Sequence, residues 1–183
     1  MTTLTVLGSA LKSIKTRNEV CNSYDHFDGI LRQVETAREL GFDLVSAGQH
    51  YLTTPFQAMQ LMPALSRITA VSGDMQVASA VVLLPLHNPV DMAEQVASLD
   101  ILSGGRFVLG VALGYREVEY RSFGLEKKAL VGRFEESLHV MKRLWTEETV
   151  THEGKHFRVA GGSMAIKPLQ KPYPPIWIGG NTE

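Results

Sequence analysis

The stretch that most constrains this chain runs from Asn88 to Tyr115, NPVDMAEQVASLDILSGGRFVLGVALGY. Asn88 is a good N-cap, and Pro89 suits a first helical turn. An apolar-rich helix is predicted from there to Leu102. Ser103-Gly104-Gly105 ends it, with one glycine in the left-handed conformation that closes helices. Phe107 to Leu113 (FVLGVAL) then lacks polar alternation, as expected of a strand covered on both faces. A helix, a glycine turn and a doubly buried strand in sequence imply a parallel sheet with helical crossovers.

The same alternation recurs on both sides of this stretch. Thr3 to Gly8 is a β-prone run, and Leu11 to Tyr24 is polar and aperiodic. Phe27, Ile30, Leu31, Val34, Ala37 and Leu40 repeat at helical spacing, with Asp25 to cap the start and Gly41 the end. Phe42 to Ala47 reads as a second strand. Pro55 to Ile68 is apolar and helical in pattern, with Pro63 expected to kink or divide it. Gly73 to Leu84 reads as one continuous third strand. After the fourth strand comes a charged connection, Glu117 to Val131. A helix follows with Phe134, Leu138, Met141 and Trp145 on its inner face. A hairpin turning at Glu153-Gly154, a Gly- and Pro-rich excursion from Gly161 to Pro175, and a fifth strand, Ile176 to Ile178, complete the order.

Such a chain forms either an open doubly wound sheet or a closed (β/α)₈ barrel, and composition does not choose between them. A complete barrel is typically about 250 residues. Five strands in 183 residues resemble the first part of one. Residues 1–183 are therefore expected to form the N-terminal portion of a single barrel domain, an incomplete TIM barrel of the α/β class.

The net charge of −1 comes without a basic patch, so neither nucleic acid nor an anionic membrane is an expected partner. The first residues lack a cationic start and a long apolar run, which argues against a signal peptide or membrane span. Cys21 is the only cysteine. It excludes an internal disulfide and makes a reducing, cytoplasmic setting the default expectation.

At SLDILSGGRFVLGVALGY the sequence resembles the bacterial luciferase-like monooxygenase family, TIM-barrel enzymes that use reduced FMN or the deazaflavin coenzyme F420. ELGFDLVSAGQHYL is similar to the family's second strand with its tip histidine. LLPLHNPVDMAEQVASLDILSGGRF is similar to the third strand, helix and glycine turn. GYREVEYRSFG, the helix ending MKRLW, and KPYPPIWIGG follow in the family's order, so the resemblance runs from about Phe27 to Gly180. Two departures stand out. Where the family often shows an acid and two histidines, this chain has Gln49-His50-Tyr51, and only His50 carries over. The chain also stops where the family continues into loops that supply much of a phosphate site.

Barrel enzymes place their active sites at the C-terminal ends of the strands. That rule selects His50, the Leu84 to His87 segment, Gly114-Tyr115-Arg116 and Gly179-Gly180-Asn181. The imidazole of His50 can donate or accept a proton. The resemblance puts it beside the cofactor ring, as the catalytic candidate; the plain alternative is a histidine hydrogen-bonded within its loop. Relatives often carry a bulge or non-prolyl cis peptide inside the third strand. Ala80-Val81 is the expected place for it here, against the alternative of ordinary core strand. Gly114 permits close approach of backbone to ligand. Tyr115 can stack on a flat ring or simply end its strand. Arg116 can hold a phosphate or carboxylate, or pair with Glu117 or Glu119. Gly179 and Gly180 complete the cofactor-binding candidates. Glu94, Asp100 and Arg106 are assigned to scaffold, tying the helix to the closed end of the barrel.

Other signals fail. GGR at Gly104 follows a helix and has no Gly-Lys-Ser/Thr, so it is not a phosphate loop. GVALG is not a dinucleotide fingerprint. His139, His152 and His156 lack a third ligand at metal spacing, so no metal is expected. The resemblance implies an oxidoreductase acting on a small organic substrate, as a homodimer. Reduced FMN would activate oxygen, whereas F420 would transfer hydride. GQHYL, GYREVEY and KPYPPIWIGG favour the F420 branch. A truncated, non-catalytic flavin-binding or dimer-partner relative is the alternative that the same resemblance allows.

Overall fold

The computed structural model describes residues 2–5, 23–54 and 56–180. Val6 to Gly8 of the expected first strand, Cys21, Pro55 and Asn181 lie outside them. Strand β1 (Thr3–Thr5) is followed by helix α1 (Ser23–Glu39), β2 (Leu44–Ala47), α2 (Leu61–Thr69), β3 (Gln76–Ser79) and β4 (Val82–Leu83). Then come α3 (Pro89–Leu102), β5 (Phe107–Ala112), α4 (Glu117–Ser122) and α5 (Leu130–Thr146). The antiparallel hairpin β6 (Val150–Glu153) and β7 (Arg158–Gly162) precedes the last strand, β8 (Ile176–Ile178).

The main sheet is parallel throughout. β1 pairs with β2, β2 with β3, β3 and β4 both with β5, and β5 with β8. β3 and β4 are two pieces of one barrel strand, so five strand positions lie side by side. Val45 aligns with Val77, Val77 with Phe107, and Leu109 with Ile176. These helix-facing residues meet the apolar faces of the helices in one core, where Val45, Val77, Phe107 and Leu109 are fully enclosed. Trp145 locks α5 onto α3, its indole N–H donating to the Ala93 carbonyl at 3.1 Å.

Five local expectations are corrected. Asp25 does not cap the first helix but lies within α1, which already includes Ser23 and Tyr24. Pro63 neither kinks nor divides a helix. It is the third residue of α2, where the backbone N–H has no intrahelical acceptor to lose. Residues 57–60, expected to be helical, have no regular structure. The third strand is not continuous: it breaks at a cis Ala80–Val81 peptide, and Leu84–Leu86 turns into a 3₁₀ segment. The charged connection holds a short helix, α4, and α5 begins at Leu130, a turn before Phe134. At the glycine turn both Gly104 (φ 65°) and Gly105 (φ 76°) are left-handed. Among the described residues no helix is long and apolar enough to cross a membrane.

Candidate active site

The carboxyl ends of β2, β4, β5 and β8 converge on one cleft of about 500 Å³. Its wall includes His50, Ala80, Val81, Gly114, Tyr115, Gly179 and Gly180. Seven of the eight residues chosen as catalytic or cofactor-binding candidates thus share one cavity, contributed by four strand ends far apart in the chain, whereas the Leu84–His87 segment does not line it. Arg116 lines a smaller neighbouring cleft of about 210 Å³, which it shares with His50 and Tyr115.

The floor is built by close backbone contact. Ala80 N–H donates to the Ala47 carbonyl at 2.7 Å, and Gln49 N–H to the Val81 carbonyl at 3.3 Å. The Ser79 hydroxyl bridges to β5, receiving the Gly110 N–H at 2.8 Å and donating to the Gly110 carbonyl at 2.9 Å. A Cβ on residue 110 would lie 2.0 Å from the Ser79 carbonyl oxygen, so only glycine lets these strands approach. Gly114 (φ 79°) turns the chain out of β5, and a Cβ there would press on Leu83 at 3.3 Å. The floor is therefore small and apolar, formed by Ala80, Val81, Ala112 and Gly179.

Two polar clusters stand on its rim. Gln49 is only 4% exposed. Its side-chain oxygen accepts from Leu83 N–H and from His87 Nε2, both at 2.9 Å, and its amide donates to the Tyr51 hydroxyl at 3.1 Å. Burial lowers the His87 pKa, opposed by Asp91; burial and then the Glu119 carboxylate raise that of Tyr51. Neutral His87 donating from Nε2 matches this environment.

The second cluster centres on Glu119, which is 2% exposed. Its Oε1 receives His50 Nδ1 at 3.1 Å, Tyr51 N–H at 2.9 Å and Arg116 Nη1 at 3.1 Å. The Arg116 guanidinium also donates to the Tyr51 and Leu52 carbonyls, at 2.8 and 3.3 Å. Arg116 is thus paired with Glu119, not Glu117, and helps to build the loop. Tyr115 stands 82% exposed with its ring edge-on to His50, centroids 6.4 Å apart.

Sequence reasoning missed Gln49 and Glu119. Gln49 carries no charge and replaces the residue a resemblance would look for. Glu119 lies in a helix of only six residues, too short to show periodicity. Its one sequence signal is the nearby Arg116, for which it is a candidate partner. The scaffold trio also divides. Glu94 is exposed. Fully buried Asp100 receives the Gln170 backbone N–H at 2.9 Å and side-chain amide at 2.6 Å. Arg106 donates to the Ser72 hydroxyl at 3.1 Å and to the Met75 carbonyl. Both residues serve structure, but with different partners and without pairing to each other.

The family model for luciferase-like monooxygenases matches residues 3–183. The chain belongs to the luciferase-like monooxygenase family. Its fold is the α/β, parallel-sheet part of that family's TIM barrel. The monooxygenase RslO1 of Streptomyces bottropensis is 26% identical and superposes with a TM-score of 0.87, over 97% of this chain and 53% of that one. The oxygenating constituent of 3,6-diketocamphane monooxygenase from a Pseudomonas putida plasmid, solved with FMN, is 19% identical. Its TM-score is 0.80, over 92% of this chain and 51% of that one. An F420-dependent secondary alcohol dehydrogenase, solved with an F420–acetone adduct, is 22% identical. Its TM-score is 0.75, over 84% of this chain and 48% of that one. The chain spans about half the length of these structures, and 44% and 42% of two curated relatives in Sinorhizobium fredii. Luciferase-like proteins with flavin and with deazaflavin thus both share its fold.

Proposed function

We propose that the 500 Å³ cleft holds the ring of a reduced flavin or deazaflavin, and that the protein is an oxidoreductase acting on a small organic substrate beside it. One observation carries the reading. The strand ends bring small apolar residues, glycines, an exposed tyrosine and a histidine around a single opening. A planar ring can lie on Ala80, Val81, Ala112 and Gly179, because Gly179 and Gly114 leave no side chain above them. Tyr115 closes the edge by stacking, and His50 offers a ring nitrogen to the cofactor or substrate. Arg116 bonds Glu119 and the Tyr51 loop from the neighbouring cleft it shares with His50 and Tyr115, and from there a phosphate or carboxylate of the ligand is its proposed partner. No Lys or Arg among the described residues lines the cleft. The residues lining this cleft fit the ring, and Arg116 is the cation beside it.

Bound there, reduced FMN would supply oxygen activation and reduced F420 a hydride; the protein's part is orientation, water exclusion and proton placement. His50 is the group within reach to hold or pass a proton. Gln49 fixes the floor, through Val81 and Leu83, against the His87 and Tyr51 side. Anaerobic titration of the full chain with reduced FMN and with reduced F420 tests the proposal. Saturable binding of one of them, weakened about tenfold or more by Gly179→Leu, is expected, since a side chain would fill the floor. Absence of binding by both would remove the reading. Binding without turnover on any tested alcohol, aldehyde or ketone would point to a non-catalytic relative.

A further inference from the structure

We infer that Glu119 is the positioning residue of this site: reaching from α4, it holds His50 with its proton on Nδ1 and leaves Nε2 as the ring nitrogen that meets a ligand. The inference rests on the reading of His50 as a site residue, but concerns the chain's own hydrogen bonds.

Glu119 Oε1 is approached by three groups, Tyr51 N–H, Arg116 Nη1 and His50 Nδ1, at 2.9, 3.1 and 3.1 Å. The first two are donors without acceptor capacity. A carboxylate oxygen only accepts, so Nδ1 must carry hydrogen; a bare Nδ1 would set lone pair against lone pair. With Nδ1 engaged, Nε2 is the nitrogen left on a ring that lines both clefts.

The same carboxylate also fixes the loop that carries His50. Tyr51 N–H is the next backbone donor, so the imidazole and its following peptide are anchored to one atom. Arg116 ties the other side through the Tyr51 and Leu52 carbonyls at 2.8 and 3.3 Å. Leu52 sits at φ 51°, a left-handed conformation unusual for a leucine, and persists where surrounding contacts over-determine it. Glu119 is separated from His50 by 69 positions and is 2% exposed. Burying an acidic side chain to receive one ring nitrogen and two loop donors is the arrangement of a residue that orients another.

The test is the tautomer itself. The full chain is labelled with ¹⁵N-histidine, and the His50 signals are assigned with His50→Gln. Two-bond ¹⁵N–¹H correlation at about pH 8, above the ordinary imidazole range, reports which nitrogen is protonated. The expected result is Nδ1–H with a bare Nε2. Glu119→Gln keeps an oxygen acceptor and should retain that pattern. Glu119→Met keeps volume without an acceptor and should lose it, with Nε2–H becoming populated. Nε2–H in the unmodified chain, or an unchanged Nδ1–H signal in folded Glu119→Met, overturns the inference. If Glu119→Met does not fold, the unmodified chain and Glu119→Gln still decide, and Nδ1–H missing from either overturns it. Cofactor titration separates this from the functional reading. Nδ1–H without binding of either cofactor sinks only the function; binding with Nε2–H sinks only the role of Glu119.

Discussion

Gly110 shows how a single residue governs the floor of the cleft. Its N–H and carbonyl both bond the Ser79 hydroxyl, and a methyl group would sit 2.0 Å from the Ser79 carbonyl. Gly110→Ala must push β3 and β5 apart, at a cost near the upper end of overpacking, about 3 kcal/mol. Chemical denaturation should read that loss; a variant as stable as the parent would contradict the contact. His87 gives a second prediction at this scale. Burial lowers its folded pKa, against a smaller opposing pull from Asp91. The unfolded chain then binds a proton near about pH 6.5 that the folded chain refuses. Stability is full above that range and falls as pH drops through it, until the folded imidazole also titrates. Melting temperatures between about pH 8 and pH 5 should decline less steeply in His87→Gln than in the parent. Equal slopes would show that His87 is not the group responsible.

At the scale of elements, one carboxylate of α5 gathers three donors of the β6–β7 hairpin, beside a bond from Arg143 to the Thr151 carbonyl at 3.1 Å. Glu136 accepts from His152 Nε2 at 3.0 Å, from the His156 N–H at 3.0 Å and from the Phe157 N–H at 2.9 Å. Burial alone would raise its pKa, but these bonds outweigh that and leave it lowered. A lowered carboxyl pKa contributes stability that is present above about pH 4.3 and is lost as pH falls through the folded value. Glu136→Gln exchanges a charged acceptor for a neutral one. Amide hydrogen exchange at His156 and Phe157 should then speed by about tenfold or more. Unchanged protection would mean that strand pairing and the Arg143 and Arg133 contacts hold the hairpin without Glu136. The hairpin itself was legible from Glu153-Gly154 between β-prone runs. Its anchor was not, because Glu136 lies 16 positions from His152 in sequence.

At the scale of the whole molecule, β1 and β8 are the outer strands of the main sheet among the described residues. β8 carries Trp177, 47% exposed, and Ile178, 65% exposed. An apolar outer strand with free backbone groups invites pairing. Produced as 183 residues alone, the chain should associate with itself as concentration rises, and Trp177→Lys should reduce this. Sedimentation velocity over a hundredfold concentration range would show it. A monomer throughout would mean that the edge is protected in some other way.

The sequence by itself determined the α/β class, the order of the main strands and crossover helices, and the strand ends that line the candidate site. Apolar runs without alternation and glycine turns are local signals, and they survive folding because the core demands them. It also selected seven residues that meet in one cleft, since parallel strands put their C-terminal ends on one side. Only the tertiary structure decided how the polar side chains are shared. Arg116 went to Glu119 and a loop, Asp100 went to Gln170 rather than to Arg106, and Gln49 became the clamp on the floor. The reason is physical. A buried polar group must be satisfied by whichever partner the fold brings within about 3 Å, and that partner is commonly tens of residues away in the chain.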